Sequence, residues 1–122
     1  MPLPIDVPRN LKPYFLGLLS KGERWNDAEG SEDLMPRQLA FIRQQTEAGR
    51  YKLAGPVVEK GEIVGLMIIE AENADEALAI AQQDPAVHSG RLSVRVYATF
   101  LPSLDAVRVI YANGLETGTT RR

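Results

Sequence analysis

The sequence predicts an α+β fold in which four strands and two helices follow one another in the order βαββαβ. Apolar runs of strand length, separated by two stretches of helical periodicity, indicate these elements. Glycine or proline stands at most of the predicted boundaries, where such residues end helices and strands. At 122 residues the chain is expected to form one domain with a single modest core.

The N-terminal part is predicted to be an extended arm followed by the first strand. Residues 1–12 contain three prolines and show no periodicity. The apolar run from Tyr14 to Leu19 is too short for a buried helix and fits a core strand, β1. Polar residues and glycines from 20 to 30 predict a loop after this strand.

The first helix, α1, is predicted to begin near Ser31 and to end at Gly49. Its expected apolar face consists of residues at helical spacing: Met35, Leu39, Ile42 and Thr46. Pro36 is compatible with the first turn of a helix, where its missing N–H has no intrahelical partner. Gly49 can adopt the left-handed conformation that closes the helix.

The remaining elements follow at short spacing. Tyr51–Val58 is predicted to be β2, interrupted by Gly55-Pro56, and the continuously apolar Ile63–Ala71 is predicted to be β3. A capping-box pattern at Asn73 and Glu76 opens α2, which stops at Asp84-Pro85. Alternation over Arg91–Phe100 predicts β4.

This order of elements is the ferredoxin-like arrangement, a four-stranded antiparallel sheet with two helices on one face. Such a sheet leaves its other face uncovered. Apolar residues lie on both sides of β1 and β3, so we expect the uncovered face to be buried as well. A second copy of the chain is the simplest cover, and the pattern therefore predicts a homodimer formed through the sheet face.

The C-terminal extension, residues 101–122, leaves two alternatives open. Leu104, Val107 and Tyr111 have helical spacing, whereas Val107, Val109 and Tyr111 alternate as in a strand. We expect Leu104–Ala112 to be ordered against the body or the partner, and residues 114–122 to be frayed. The chain thus divides into an arm (1–12), an α+β domain (13–100) and this extension.

Composition excludes several classes of function. A net charge of −2 and a pI near 5.4 do not predict binding to nucleic acid. No apolar run is long enough to cross a membrane. There is no cysteine and only one histidine, so neither a disulfide nor a metal site is expected. The sequence has no glycine-rich phosphate-binding loop, so no nucleotide cofactor is expected. The first residues lack the regions of a signal peptide, and we expect a cytoplasmic protein.

Several short motifs in a fixed order resemble the YCII-related (YciI-like) family of dimeric α+β barrel proteins. The matching pieces are the apolar β1, Gln38-Leu39-Ala40, Glu47-Ala48-Gly49, Leu53-Ala54-Gly55-Pro56, and Asp84-Pro85-Ala86-Val87 with Gly90. The resemblance covers residues 14–100. It implies a ferredoxin-like subunit that dimerises through its sheet and has a small-molecule cleft.

The resemblance also implies a site. The family pattern pairs a histidine on the first helix with the aspartate of the Asp-Pro motif, and these positions are Gln38 and Asp84 here. A glutamine orients a ligand by hydrogen bonds but does not titrate. Asp84 is therefore the candidate catalytic residue, and Gln38 and Gly55 are candidate ligand-binding residues. At the end of α2 the helix dipole opposes a carboxylate by roughly 0.3–1 kcal/mol, and a residue in a mildly unfavourable place favours a functional role. The alternative for Asp84 is a solvated aspartate before proline in an ordinary stop signal.

Residues in and beside the loop after β1 are further candidates for ligand contact. Ser20 lies at the end of β1, and Arg24 and Trp25 follow it. A core or capping role is an equal alternative for all three. His88 is interpreted as a solvated loop residue rather than a general base.

Two functions follow from this reading. The first is a small-molecule-binding protein or, if Asp84 still transfers a proton, a cofactor-free enzyme of the lyase, isomerase or dehydrochlorinase type. The alternative is a non-enzymatic dimeric module or accessory subunit.

Overall fold

A computed structural model of the protein describes residues 6–30 and 32–111. Four strands form one antiparallel sheet in the order β2-β3-β1-β4, with β1 and β3 in the centre. The elements in chain order are β1 (Leu11–Lys21), α1 (Leu34–Glu47), β2 (Tyr51–Pro56), β3 (Ile63–Ile69), α2 (Ala74–Ala81), α3 (Pro85–His88) and β4 (Leu92–Pro102). The predicted α+β, ferredoxin-like fold is confirmed.

A third helix, α3, was not predicted. The segment after Asp84-Pro85 was expected to be a loop, but Pro85–His88 forms one helical turn. Asp84 accepts a hydrogen bond from the backbone N–H of Ala86 and so acts as the N-cap of this turn. Pro85 occupies its first position, where proline is favoured.

The two longest strands extend beyond their predicted ends. β1 and β4 pair over 11 residues each, from Leu11 opposite Pro102 to Lys21 opposite Leu92. β1 therefore includes Leu11 and Lys12, which the sequence assigned to the arm. β2 and β3 are shorter than predicted and end at Pro56 and Ile69.

The core lies between the sheet and the helices. Its fully or nearly buried members come from every layer: Leu19, Tyr51, Met67, Ile69, Ala77, Ala81, Ala86 and Leu92. The Met67 side chain lies directly over Gly17 of the neighbouring strand, in the space that a Cβ would need. A core residue of this kind contributes about 2–5 kcal/mol relative to alanine.

The predicted inward face of α1 is correct for Ile42, which packs against the core, and wrong for Met35 and Leu39. Met35 and Leu39 are 62% and 57% exposed, whereas Leu34 and Phe41 pack against the core and Gln45 is buried. The inward stripe contains glutamines, which a hydropathy pattern does not register. The end of the helix is as predicted, with Gly49 at φ +81°.

The other face of the sheet carries many large apolar side chains, and none of the helices in the described residues lies over it. Alternation and register place six large side chains there: Leu16, Leu18, Leu53, Leu66, Ile68 and Tyr97. Leu66 and Tyr97 are 37% and 46% exposed. We call this surface the open face.

The C-terminal segment crosses one end of the sheet. Residues 103–111 form neither the helix nor the strand that the sequence left open. The backbone N–H of Leu104 donates to the hydroxyl of Tyr14 at 2.8 Å. Asp105 forms ion pairs with Lys12 at 3.2 Å and Lys52 at 3.5 Å. Arg43 lies 4.4 Å from the centroid of the Tyr111 ring. The prediction for residues 114–122 falls outside the described residues, as does Ala112.

Candidate functional site

Asp84 is buried where α2 gives way to α3. It is 1% exposed, its backbone N–H donates to the carbonyl of Ala81 at 3.1 Å, and Oδ1 accepts from Ala86 N at 2.8 Å. The solvated stop signal considered for this residue is therefore wrong. The helix-dipole argument was also wrong, because the carboxylate caps the start of α3 as well as following α2.

Gln38 lies on the inward side of α1 and contacts Asp84 directly. Its Nε2 donates a hydrogen bond to Asp84 Oδ2 at 3.1 Å, across 46 positions of sequence. Gln38 is half-buried, and α1 packs against α3. The structure thus brings together the two residues that the family pattern pairs, one on α1 and the other at the N-cap of α3.

Burial raises the pKa of Asp84 above its usual value of 3.8. The hydrogen bonds from Gln38 and from the backbone N–H groups of Ala86 and Val87 act in the opposite direction and only partly offset it. A carboxyl group in this environment holds its proton to a higher pH than a solvated aspartate does. Such a group can act as a general acid or base, whereas the Gln38 amide can only orient or bind.

Tyr51 is a buried polar residue that the sequence did not single out. It opens β2, is 2% exposed, and packs edge-on against Phe41 of α1 at 6.0 Å between ring centroids. Its hydroxyl has no hydrogen-bond partner among the described residues. Burial, followed by the negative charge of Asp84, raises the pKa of Tyr51 well above its usual value.

Residues 16–101, which are most of the chain, match the family model of the YCII-related domain. The chain belongs to the YCII-related domain family. No curated protein matches the sequence.

Two solved structures resemble this YCII-related chain. The first is 5-chloro-2-hydroxyhydroquinone dehydrochlorinase from Burkholderia phenoliruptrix, in complex with 2,5-dihydroxybenzoquinone. It is 22% identical over 70% of this chain and 90% of its own, with a TM-score of 0.45. The second is the C-terminal domain of the MgtC protein from Mycobacterium tuberculosis. It is 12% identical, the match covers 82% of this chain and 98% of that domain, and the TM-score is 0.39. These likenesses are too weak to transfer either protein's activity.

Arg24 is held in the loop after β1 by contacts within the chain. Nη2 and Nε donate to Asp27 Oδ2 at 2.7 and 2.9 Å, and Nη1 donates to the carbonyl of Ser89 at 3.1 Å. These bonds tie the loop to the end of α3. Trp25, beside it, is 42% exposed, with Lys21 Nζ 5.5 Å from its ring centroid. Ligand contact by either residue stays a prediction.

Arg91 is a buried positive charge that the sequence did not single out. It is 7% exposed, and it donates from Nε to the carbonyl of Asp27 at 3.2 Å and from Nη2 to the carbonyl of Glu29. Buried arginines need such acceptors because an unpaired charge is costly in the interior. Arg91 therefore anchors the second half of the same loop, residues 22–30.

Ser20 and Gly55 lie away from the Asp84–Gln38 pair. Leu19 points into the core, so the next residue, Ser20, points to the open face. Gly55, in β2, pairs with Leu66 of β3 and lies on the open face too. Their assignment as ligand-binding residues stays a prediction. His88, the last residue of α3, is exposed.

Two surface grooves of about 620 Å³ each are lined by other residues. One lies between the end of α1, the start of β2 and the C-terminal segment, and Tyr51 borders it. The second is lined mainly by polar residues around Arg50 and Glu76.

Neither a metal cluster nor a membrane helix is found in the described part of the chain. No group of three or more His, Cys, Asp or Glu side chains among residues 6–30 and 32–111 is arranged to hold a metal ion. None of the helices described there has the length and apolar character needed to cross a membrane.

Proposed function

We propose that this YCII-related protein binds a small molecule at the site formed by Asp84 and Gln38. The observation that supports it is the buried Asp84 carboxylate hydrogen-bonded to a half-buried Gln38 amide. A carboxylate without a cationic partner is costly to bury, and such groups are concentrated at functional sites. A ligand that reaches Asp84 takes over or extends the Gln38 hydrogen bond.

If the site is catalytic, the reaction is a proton transfer without a cofactor. Asp84 is the acid–base group, and its raised pKa brings it closer to the pH at which it can both give and take a proton. Gln38 orients the substrate in place of the family's histidine. Arg24 and Trp25 are proposed to help orient the substrate, and the hydrogen bond from Arg24 to the carbonyl of Ser89, directly after α3, supports this for Arg24.

The open face is proposed to be the contact between two copies of the chain. Its six large side chains form one apolar surface across all four strands. Of these side chains Leu66 and Tyr97 are exposed, and exposed apolar side chains grouped on one face are typical of interfaces. Light scattering should show a dimer at micromolar concentration, and a monomer there would contradict this part of the proposal.

A non-enzymatic interaction module is the second candidate, and one observation favours it. Val107, Val109 and Ile110 of the C-terminal segment are 44%, 43% and 87% exposed. Adjacent exposed apolar residues on a segment outside the sheet are typical of a surface that binds another protein.

A thermal-shift screen tests the small-molecule proposal. Wild type, Asp84→Asn and the control Asp75→Asn, at an exposed carboxylate in the first turn of α2, are screened against hydroxylated aromatics, lactones and small organic acids. Ligands that bind the native state raise the melting temperature by mass action. We expect a hit in wild type and in Asp75→Asn that is lost in Asp84→Asn. Equal hits in all three would exclude Asp84 from the site, and no hit would favour the interaction module.

A further inference from the structure

The groove between the end of α1, the start of β2 and the C-terminal segment has one more positive charge than its own contacts use. We call it the C-terminal groove. Its volume of about 620 Å³ is within the range of about 300–1,000 Å³ that is usual for small-molecule pockets. Neither Asp84 nor Gln38 lines it, so it is a separate surface. Three cationic and two acidic side chains line it: Arg43, Lys52, Arg108, Glu47 and Asp105.

Two of the three cations are already paired. Arg43 Nε lies 3.2 Å from Glu47 Oε2. Lys52 Nζ lies 3.1 Å from Glu70 Oε1 and 3.5 Å from Asp105 Oδ1. Both carboxylates that line the groove are therefore engaged by these two cations.

Arg108 is the cation that is left over. The residue is exposed and lines the groove, and its side chain has no ion pair or hydrogen bond with any of residues 6–30 and 32–111. A guanidinium stays charged throughout the physiological pH range, and its planar set of N–H donors matches the two oxygens of a carboxylate. The groove thus offers an anion a partner that the fold does not occupy.

The C-terminal groove also has apolar lining that the chain leaves uncovered. Val107, Val109 and Ile110 line it and are 44%, 43% and 87% exposed. A ligand with an apolar body would remove this surface from water, which is favourable. An inorganic anion such as phosphate could pair with Arg108 but would leave the apolar side chains exposed. The rest of the apolar lining consists of Tyr51, Leu104 and Tyr111.

We infer that the C-terminal groove binds a small organic carboxylate, whose charged group pairs with Arg108 and whose apolar body packs on Val107, Val109 and Ile110. A neutral ligand would use the apolar lining but leave Arg108 unpaired, and a cationic one would be repelled by it. This site is additional to the one proposed at Asp84 and Gln38 and does not depend on it.

Matched probes and variants test the inference. The probes are 2-naphthoate and 2-naphthamide, which have the same ring system with and without a negative charge. The proteins are full-length wild type, Arg108→Gln and the control Lys60→Gln, which removes one positive charge from the exposed turn between β2 and β3. Titrations followed in amide NMR spectra give the dissociation constants and show which residues the probe approaches. Because Arg108 is exposed and unpaired, Arg108→Gln should keep the wild-type spectrum outside its own segment.

We expect 2-naphthoate to shift the amide signals of residues 43–52 and 104–111. It should bind Arg108→Gln about 2–5-fold more weakly than wild type, as for the loss of one exposed ion pair, and bind Lys60→Gln unchanged. The affinity for 2-naphthamide should be the same in all three proteins. Added salt should weaken the binding of 2-naphthoate to wild type and leave that of 2-naphthamide unaltered, because salt screens exposed charges.

Three results would overturn the inference. Equal affinities of wild type and Arg108→Gln for 2-naphthoate would show that Arg108 is an ordinary solvated arginine. Shifts around Asp84 and Gln38 instead of along the groove would place the probe at the other site and favour the function proposed there. No binding of 2-naphthoate at millimolar concentration would leave the exposed side chains of the C-terminal segment to a protein partner. The inference can thus fail while the function proposed for Asp84 and Gln38 stands.

Discussion

Gly22 stands where the chain leaves β1, at a contact too close for any side chain. A Cβ at this position would overlap the carbonyl oxygen of Gly90 and lie 3.0 Å from the carbonyl carbons of Arg91 and Leu92. All three neighbours are backbone atoms, so no side-chain rotation can relieve the overlap. Gly22→Ala must therefore push two backbone segments apart.

The cost follows from the hydrogen bonds at this contact. Gly22 N donates to the carbonyl of Arg91 at 2.8 Å, and Arg24 N donates to that of Gly90 at 2.9 Å. Losing both costs about 1–3 kcal/mol at 0.5–1.5 kcal/mol each. The alanine also restricts the unfolded chain, which returns about 0.4–1 kcal/mol. We expect a net destabilisation of about 1–2 kcal/mol.

Urea unfolding of Gly22→Ala and a matched Gly55→Ala variant, at one protein concentration, measures this difference. A Cβ on Gly55 would meet no atom within 4 Å, so Gly55→Ala should be neutral or stabilised by up to about 1 kcal/mol. The midpoint for Gly22→Ala should fall with an unchanged slope. If Gly22→Ala proves as stable as Gly55→Ala, the backbone contact between residues 22 and 90 is not as close as described.

Three further predictions address charge, assembly and the loop. Because the pKa of Asp84 is raised in the folded protein, protonation of this carboxyl stabilises the fold fully below pH 3.8, and this stabilisation is lost as the pH rises through the folded-state pKa. Urea unfolding from pH 3 to 8 should show the loss in wild type but not in Asp84→Asn. Parallel profiles of the two proteins would contradict the expectation. Leu66→Arg places a charge on the open face and should convert the proposed dimer to a monomer in light scattering, whereas a persistent dimer would put the interface elsewhere. Arg91→Lys cannot keep both carbonyl contacts, so amide exchange in residues 22–30 should quicken about tenfold or more, and unchanged exchange would refute the anchoring role.

The order of strands and helices was predictable because it depends on local patterns. Apolar runs and alternation define β1, β3 and β4, and the cap at Asn73 and the glycine at 49 define helix ends. The outer ends of β1 and β4 were not predictable in the same way. Leu11 and Lys12 are strand residues because they face Pro102 and Leu101 across the sheet, and pairing is a property of two strands.

The orientation of α1 was misjudged because its inward side is partly polar. Gln38 and Gln45 face inward, with Gln45 accepting a hydrogen bond from Arg50 Nε at 2.7 Å, while Met35 and Leu39 face solvent. A hydropathy pattern assumes that apolar residues mark the buried side. That assumption fails where the interior contains hydrogen-bonded amides, and here the exception coincides with the candidate site.

The candidate site was predictable only as far as the family pattern reaches. That pattern paired positions 38 and 84, and their side chains are in contact. The burial of Tyr51 was missed because it begins an ordinary-looking strand and depends on packing against Phe41 of α1. The burial of Asp84 was missed because it depends on the packing of α1 against α3.

The loop after β1 has a practical consequence for detecting ligands. Trp25 is the only tryptophan of the chain, and its neighbour Arg24 is bonded to Ser89 at the end of the helix that Asp84 begins. A molecule that displaces this helix while reaching Asp84 would pull on the loop and change the surroundings of the indole. Tryptophan emission, excited at wavelengths where tyrosine does not absorb, would then report occupancy without a label. The protein thus contains an optical probe one contact away from its candidate site.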